Sequence, residues 1–183
     1  MKKKYKIGVV GLGYVGLPLA YEFSKKFVTF GFDKSIKRLK QIVKNVDVNN
    51  QLSVKELKYN KIKISNKISE LSDVNFYIIT VPTPINSFNK PDLKFVKSAT
   101  NLVAKNLKKG DIVVYESTVY PGLTNEVCVP LLENLSKLKI NRDFYCGYSP
   151  ERINPGDDSK SLTKINKIIS ASNSKSLKEI YYV

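Results

Sequence analysis

"YKIGVVGLGYVGLPLA", residues 5–20, runs from an apolar strand through three glycines into an apolar helical stretch. Gly11, Gly13 and Gly16 stand in G-x-G-x-x-G spacing, and the strand-turn-helix context is the one this motif needs. Gly11 makes the tight turn, and Gly13 lets the backbone approach a pyrophosphate. Gly16 lets the helix pack close to the strand, while the helix N-terminus offers N–H groups and a positive dipole end to phosphates. The basic start "MKKK" followed by apolar residues also invites a signal-peptide reading. The apolar run is short, broken by glycine and without a small-residue cleavage site, so a strand is preferred.

Working outward, "VTFGFD" (28–33) reads as a second strand ending in Asp33. That is roughly the 20-residue offset expected of a carboxylate that binds the adenine ribose hydroxyls. An acid there repels a 2′-phosphate and so favours NAD over NADP. Lys34 and Arg38 pull the other way, and Arg38 is expected against the adenine or ribose. The alternative, a glycine turn with an unrelated aspartate capping the next helix, stays open at this point.

The rest of the chain keeps the rhythm. A helix is expected from Tyr14 to Lys26 and another from Ser35 to Val43. Residues 45–60 are polar and ambiguous, with a short helix possible at "SVKELK"; "KIKIS" (61–65) reads as a weak strand. "NFYIITV" (75–81) is apolar throughout, as in a parallel strand covered on both faces, and "PTP" stops it. Asp92 suits the N-cap of a helix whose stripe is Leu93, Val96, Thr100, Val103 and Leu107, with Gly110 beyond its end. "DIVVYES" (111–117) and "DFYCGYS" (143–149) are further strands. Between them a helix over 124–138 would bury Val127, Leu131, Leu135 and Leu138, kinked or delayed by Pro130.

Strands alternating with helices imply βαβ units and right-handed crossovers. The expected fold is α/β: a Rossmann-type, doubly wound, mostly parallel sheet with helices on both faces. One domain is expected over residues 1–183, with a core over about 5–156. Residues 157–183, with a strand at "KIISAS" (167–172) and a helix in "SKSLKEIYYV", read as an incomplete last unit.

Composition removes several function classes. The chain has no histidine, which excludes His-based metal sites and Ser-His triads, and no metal site is expected. Cys128 and Cys146 form no CxxC pair and sit among apolar neighbours, so buried packing is expected of both. The formal net charge is +15, but the cations are mostly scattered lysines with no aromatic RNA-binding motif. Nucleic acid is therefore not expected as a partner, whereas phosphorylated small molecules are attracted. No apolar run reaches the roughly 20 residues that span a bilayer, so no membrane partner and a cytoplasmic location are expected.

Two polar clusters stand at strand ends. Thr83, fixed between prolines in "VPTP" (81–84), can reach a cofactor or simply decorate a stiff turn. In "VVYESTVYPG" (113–122), Glu116, Ser117 and Thr118 crowd the end of an apolar run where a plain turn needs none of them.

"GLGYVGLPLA", "YIITVPTPIN", "GDIVVYESTVYPG" and "GYSPERINPGD" occur in this order and together resemble the UDP-glucose/GDP-mannose dehydrogenase family. The nearest branch is the bacterial one that oxidises UDP-N-acetylhexosamines (UDP-N-acetyl-D-glucosamine or -galactosamine 6-dehydrogenases) for surface polysaccharide synthesis. The resemblance covers Tyr5 to about Leu162. It implies NAD as cofactor and two successive oxidations at carbon 6 of the sugar, through a cysteine thiohemiacetal and a thioester that is then hydrolysed. It also implies that Gly11, Gly13, Tyr14 and Val15 lie in the pyrophosphate loop, with Asp33 and Arg38 on the adenosine side. Thr83 and Thr118 then lie further along the cofactor, and Thr118 also holds a water or hydroxyl near the reacting carbon. Glu151 is implied as general base or orienter of the hydrolytic water, with Arg152 and Asn154 in the loop facing the nucleotide sugar. Read alone, Glu151 and Arg152 are equally a surface ion pair.

The chain also departs from the family pattern. Pro155-Gly156 replaces the second glutamate of UDP-glucose relatives, as in the N-acetylhexosamine branch. The nucleophilic cysteine, its lysine and asparagine, the long central helix of the homodimer and the UDP-binding domain have no counterpart here. The resemblance thus implies the N-terminal, NAD-binding portion of a longer enzyme, a UDP-glucose, GDP-mannose or UDP-ManNAc dehydrogenase being the nearby alternatives. A catalytically incomplete or regulatory nucleotide-binding module is the alternative from another class.

Overall fold

Alternate residues along each central strand supply two separate apolar clusters, which fixes a sheet covered on both faces. Val10, Tyr77, Ile79, Val113 and Tyr115 pack on one side, and Ile7, Val9, Phe76, Ile78, Ile112 and Val114 on the other. The structure, a computed structural model, describes residues 5–151 and 166–183.

The first half comprises β1 (Lys6–Val10), α1 (Gly16–Ser24), β2 (Val28–Phe32), α2 (Ile36–Val43), α3 (Val54–Lys58) and β3 (Lys63–Ser65). A 3-10 turn at Ile68–Leu71 leads into β4 (Phe76–Ile79), α4 (Lys94–Ala104) and β5 (Ile112–Tyr115). A π-helical turn at Thr124–Cys128 then opens α5 (Val129–Ser136), followed by β6 (Tyr145–Tyr148), β7 (Ser170–Ala171) and α6 (Ser174–Tyr182). The sheet order is β3-β2-β1-β4-β5-β6-β7, and every pairing is parallel except the antiparallel β6–β7. This is the expected doubly wound Rossmann-type fold. Among the described residues no helix is long and apolar enough to cross a membrane.

Helix ends follow local chemistry. Ser35 caps α2 by accepting from the Arg38 N–H, and Ser53 with Glu56 forms a capping box on α3. Asp92 accepts from the Lys94 N–H at 3.0 Å, but helical geometry begins only after Leu93, so it caps one residue further out than expected. The stripe of α4 is as read: Val96, Thr100 and Val103 are fully buried.

The stripe read for the next helix is wrong in phase. Cys128, Val129 and Leu132 are buried, whereas Leu135 is 44% exposed. A π turn inserts an extra residue into the helical ladder and rotates everything after it. Pro130, which cannot donate an N–H, sits where the π turn gives way to α5. The late strand is also shorter than expected, two residues rather than six. Asn173 caps α6, which lays Ile180 against Gly147 of β6.

Leu132→Ala should therefore destabilise the fold by about 2–5 kcal/mol, and Leu135→Ala by far less. Urea denaturation of the two variants measures this, and equal losses would contradict the phase shift.

Candidate cofactor site

The chain leaves β1 and β4 in opposite directions along the sheet, so a crevice opens at their carboxyl ends. A cavity of about 310 Å³ lies there, bounded by Gly11, Gly13, Asp33, Val81, Pro82 and Leu102. Gly11 has φ of 101°, in the region that favours glycine. A methyl group on Gly16 would overlap the Gly11 carbonyl and the Thr80 hydroxyl, so α1 approaches β1 only through glycine here. Thr80 Oγ1 donates to the Gly11 carbonyl at 2.7 Å and ties the end of β4 to the loop. Thr80 was not singled out from sequence; its only signal is a hydroxyl at the end of an apolar strand.

Gly13 differs from its neighbours. A Cβ there would meet no protein atom within 4 Å, so packing does not require glycine and the open space faces outward. Tyr14 and Val15 are half-buried in the same turn. Val15, at the cap position of α1, provides no side-chain bond, and the first turn has no acidic residue. The positive end of α1 therefore meets the crevice with no acidic residue in its own first turn, Asp33 just after β2 being an acidic side chain that lines the same cavity.

Asp33 holds the loop to the next element: its carboxylate accepts from the Leu12 N–H at 2.9 Å and the Ser35 N–H at 2.8 Å. Each oxygen keeps acceptor capacity for a further donor. Lys34 Nζ donates to Ser98 Oγ at 2.6 Å, joining the end of β2 to α4 at the cavity's edge. Arg38, by contrast, is buried and works on the loop's backbone. Its Nε donates to the Leu12 carbonyl at 2.7 Å, and Nη2 pairs with Asp47 at 2.7 Å. Asp47 also accepts from the N–H groups of Asn49, Gln51 and Leu52. Burial alone would raise the Asp47 carboxyl, but the Arg38 bond and these amides outweigh it and hold the group below its ordinary range. The stretch that looked ambiguous in sequence is thus organised around one aspartate.

At the end of β5, Glu116 and Ser117 are buried and Thr118 is exposed. Ser117 Oγ donates to the Val81 carbonyl at 2.6 Å, and Thr83 Oγ1 donates to the Thr118 carbonyl. Two hydroxyls crossing in opposite directions join the loops after β4 and β5, so Thr83 and Thr118 are brought together. Glu151 is half-buried just after β6, the strand paired with β5. Arg152 and Asn154 lie outside the described residues. Glu116 pairs with Lys167, a contact the sequence reading did not anticipate because the two are 51 positions apart. A larger cleft of about 780 Å³ begins at Val119 and runs along β6 and β7. Cys128 and Cys146 are buried, and burial pushes both thiols above the ordinary range, which makes neither a nucleophile.

Glycine loop, uncapped helix terminus, cavity and terminal carboxylate on β2 fit a dinucleotide, and together they define a Rossmann-type nucleotide-binding domain. The chain belongs to the UDP-glucose/GDP-mannose dehydrogenase family: the model of that family's NAD binding domain matches residues 5–182. It is 52% identical over 168 residues to UDP-N-acetyl-D-glucosamine 6-dehydrogenase of Salmonella typhi, covering 91% of this chain and 40% of that protein. The Pseudomonas aeruginosa protein of the same name is 48% identical over 93% of this chain and 40% of its own length. Among solved structures, UDP-D-ManNAc dehydrogenase of Pyrococcus horikoshii superposes with a TM-score of 0.86 at 35% identity, over 97% of this chain and 44% of that one. The chain thus spans about 40% of the length of the curated relatives it matches.

Gly16→Ala should destabilise the domain by about 3 kcal/mol, since the backbone carbonyl it meets cannot move without breaking the loop. Thermal denaturation will show this, and an unchanged midpoint would refute the close approach. Asp47→Asn tests the Arg38 clamp through pH. A carboxyl held low in the folded state contributes stability above its unfolded value of about 3.9, and loses it as pH falls through the folded value. The gap in melting temperature between wild type and Asp47→Asn should be widest near neutral pH and close below about pH 4. At neutral pH the loss should be on the order of 3 kcal/mol.

Proposed function

We propose that this chain is the NAD-binding portion of a nucleotide-sugar 6-dehydrogenase that oxidises a UDP-N-acetylhexosamine to its uronic acid. The observation that carries the reading is the 52% identity to a UDP-N-acetyl-D-glucosamine 6-dehydrogenase across nearly the whole chain. UDP-N-acetyl-D-mannosamine dehydrogenases match at 31–36%, which favours the glucosamine or galactosamine type over that alternative. In this reading residues 1–183 form one cofactor domain. The remaining catalytic groups, the nucleophilic cysteine among them, belong to a longer protein.

Each residue then has a defined task. The backbone of Gly11, Gly13, Tyr14, Val15 and Gly16 at the start of α1 receives the pyrophosphate. Asp33 accepts from the adenine ribose hydroxyls, while Arg38 stabilises that end by holding the Leu12 carbonyl. When bound, NAD supplies the hydride acceptor. Thr83 and Thr118, fixed to each other, line the nicotinamide side, and the exposed Thr118 hydroxyl orients the sugar's reacting hydroxyl or a water. Glu151, one strand further, takes a proton or aligns the hydrolytic water. Arg152 and Asn154 face the sugar nucleotide. The rigidity of this edge serves the chemistry, because small misplacements of reacting groups cost large factors in rate.

Calorimetry on the purified chain should show NAD binding at least ~10-fold tighter than NADP, about 1.4 kcal/mol. Asp33→Asn should narrow that gap. Preference for NADP would overturn the role given to Asp33. Incubation with NAD and UDP-N-acetylglucosamine should yield no steady-state NADH, and appreciable turnover would refute the assignment of the nucleophile to another segment.

A further inference from the structure

We infer that the outer face of α2, with the loop that follows it, docks on an anionic lipid surface. The inference stands apart from the cofactor role, because it uses the side of α2 that turns away from the glycine loop.

The crossover from β2 to β3 is strongly basic. Residues 33–62 hold seven lysines and Arg38 against three acids, Asp33, Asp47 and Glu56. All three acids are engaged locally. Asp33 accepts from the Leu12 and Ser35 amides, Asp47 from Arg38 and the amides after it, and Glu56 from the Ser53 N–H and hydroxyl. The seven lysines are all exposed, and among the described residues none of them is ion-paired.

Helix α2 sorts these residues by side. Arg38 and Ile42 turn inward, which leaves Ile36, Lys37, Lys40, Val43 and Lys44 exposed on one outer face at 3.6 residues per turn. That face carries no acid. The Val46 N–H donates to the Gln41 carbonyl at 2.9 Å and folds the chain back against the helix end. Val46 thereby lines one shallow groove with Ile36, Lys37, Lys40 and Lys44. With Asp47 drawn inward to Arg38, its neighbours Val46 and Val48 are left outside, and Val43 is 70% exposed. The lysines that look scattered in sequence thus share a surface with a run of aliphatic side chains.

Single exposed apolar residues need no explanation, but a group of them set among unpaired cations does. Duplex nucleic acid is read best by arginine forks and gains little from valines, and the one arginine here is spent inside the fold. A second copy presenting the same face would set lysine against lysine. A bilayer with anionic headgroups suits both components. The ammonium groups meet the headgroups on flexible stems, while the aliphatic side chains settle at the boundary of the acyl region. Such peripheral docking needs no spanning segment.

The test is co-sedimentation of the chain with phosphatidylcholine vesicles, with and without about one-third phosphatidylglycerol. The chain should sediment with the anionic vesicles only, and should be released in 1 M salt, where screening acts beyond about 3 Å. The triple variant Lys37→Gln, Lys40→Gln, Lys44→Gln should bind at least ~10-fold more weakly. The pair Val43→Gln, Val46→Gln, which keeps the charge, should also weaken binding. Removing three exposed lysines from α4 on the opposite face of the sheet, with Lys94→Gln, Lys97→Gln and Lys105→Gln, should cost far less. Equal losses in the two lysine triples would overturn the inference in favour of diffuse charge, and so would failure to bind the anionic vesicles. Tighter binding to a duplex oligonucleotide at the same salt, unmoved by the valine pair, would overturn it in favour of nucleic acid. All substituted side chains are exposed, so wild-type melting temperatures are expected; if the valine pair fails to fold, the two lysine triples still decide.

Discussion

The approach of α1 to the end of β1 is the contact on which the rest of this domain depends. The helix comes so close that residue 16 has no room for a side chain between the Gly11 carbonyl and the Thr80 hydroxyl. That closeness aims the helix terminus at the crevice, turns the chain through a positive φ at Gly11, and leaves Gly13 bordering open space. A longer approach would fill the crevice with side chain and point the helix dipole elsewhere. The shape of the glycine loop at the crevice is therefore a consequence of backbone packing, with Lys34 the cation at the cavity's edge.

Hydroxyls and one ion pair hold this arrangement from behind. Thr80, Ser117 and Thr83 each donate to a backbone carbonyl across the carboxyl edge, joining β1 to β4 and the loop after β4 to the loop after β5. Each bond ties a loop or strand end to its neighbour, so together they hold the edge in one arrangement. Arg38 and Asp47 do the same for the far side of the glycine loop. A buried pair of this kind is weak evidence for extra stability, yet breaking it strands a charge. Its contribution here is geometric: it fixes the Leu12 carbonyl and, through it, the loop.

Much of the fold was legible in sequence because parallel strands covered on both faces must be apolar throughout. "YKIGVV", "NFYIITV" and "DIVVYES" announce themselves on that ground, and the glycine spacing identifies the tight turn from β1 into α1. Helix phase was less legible. The stripe through Leu135 is a sound 3.6-residue reading that the π turn at Thr124–Cys128 invalidates, and nothing local in "TNEVC" signals that turn. The positions of Asp33 just after β2 and of the threonines after β4 and β5 were also legible, since each directly follows an apolar strand.

What the sequence by itself determined is the alternation of strand and helix, the glycine loop and the residue types at the strand ends. These are local, set by steric limits, periodicity and the needs of a tight turn. Only the tertiary structure decided which of those residues meet. Sheet order brings Thr80 to Gly11 and Glu116 to Lys167, and the loop after α2 folds Asp47 back onto Arg38, across separations from 9 to 69 positions. The reason is physical: a charge or hydroxyl can be read at any position, but its partner is chosen by strand pairing and burial, which no local pattern contains.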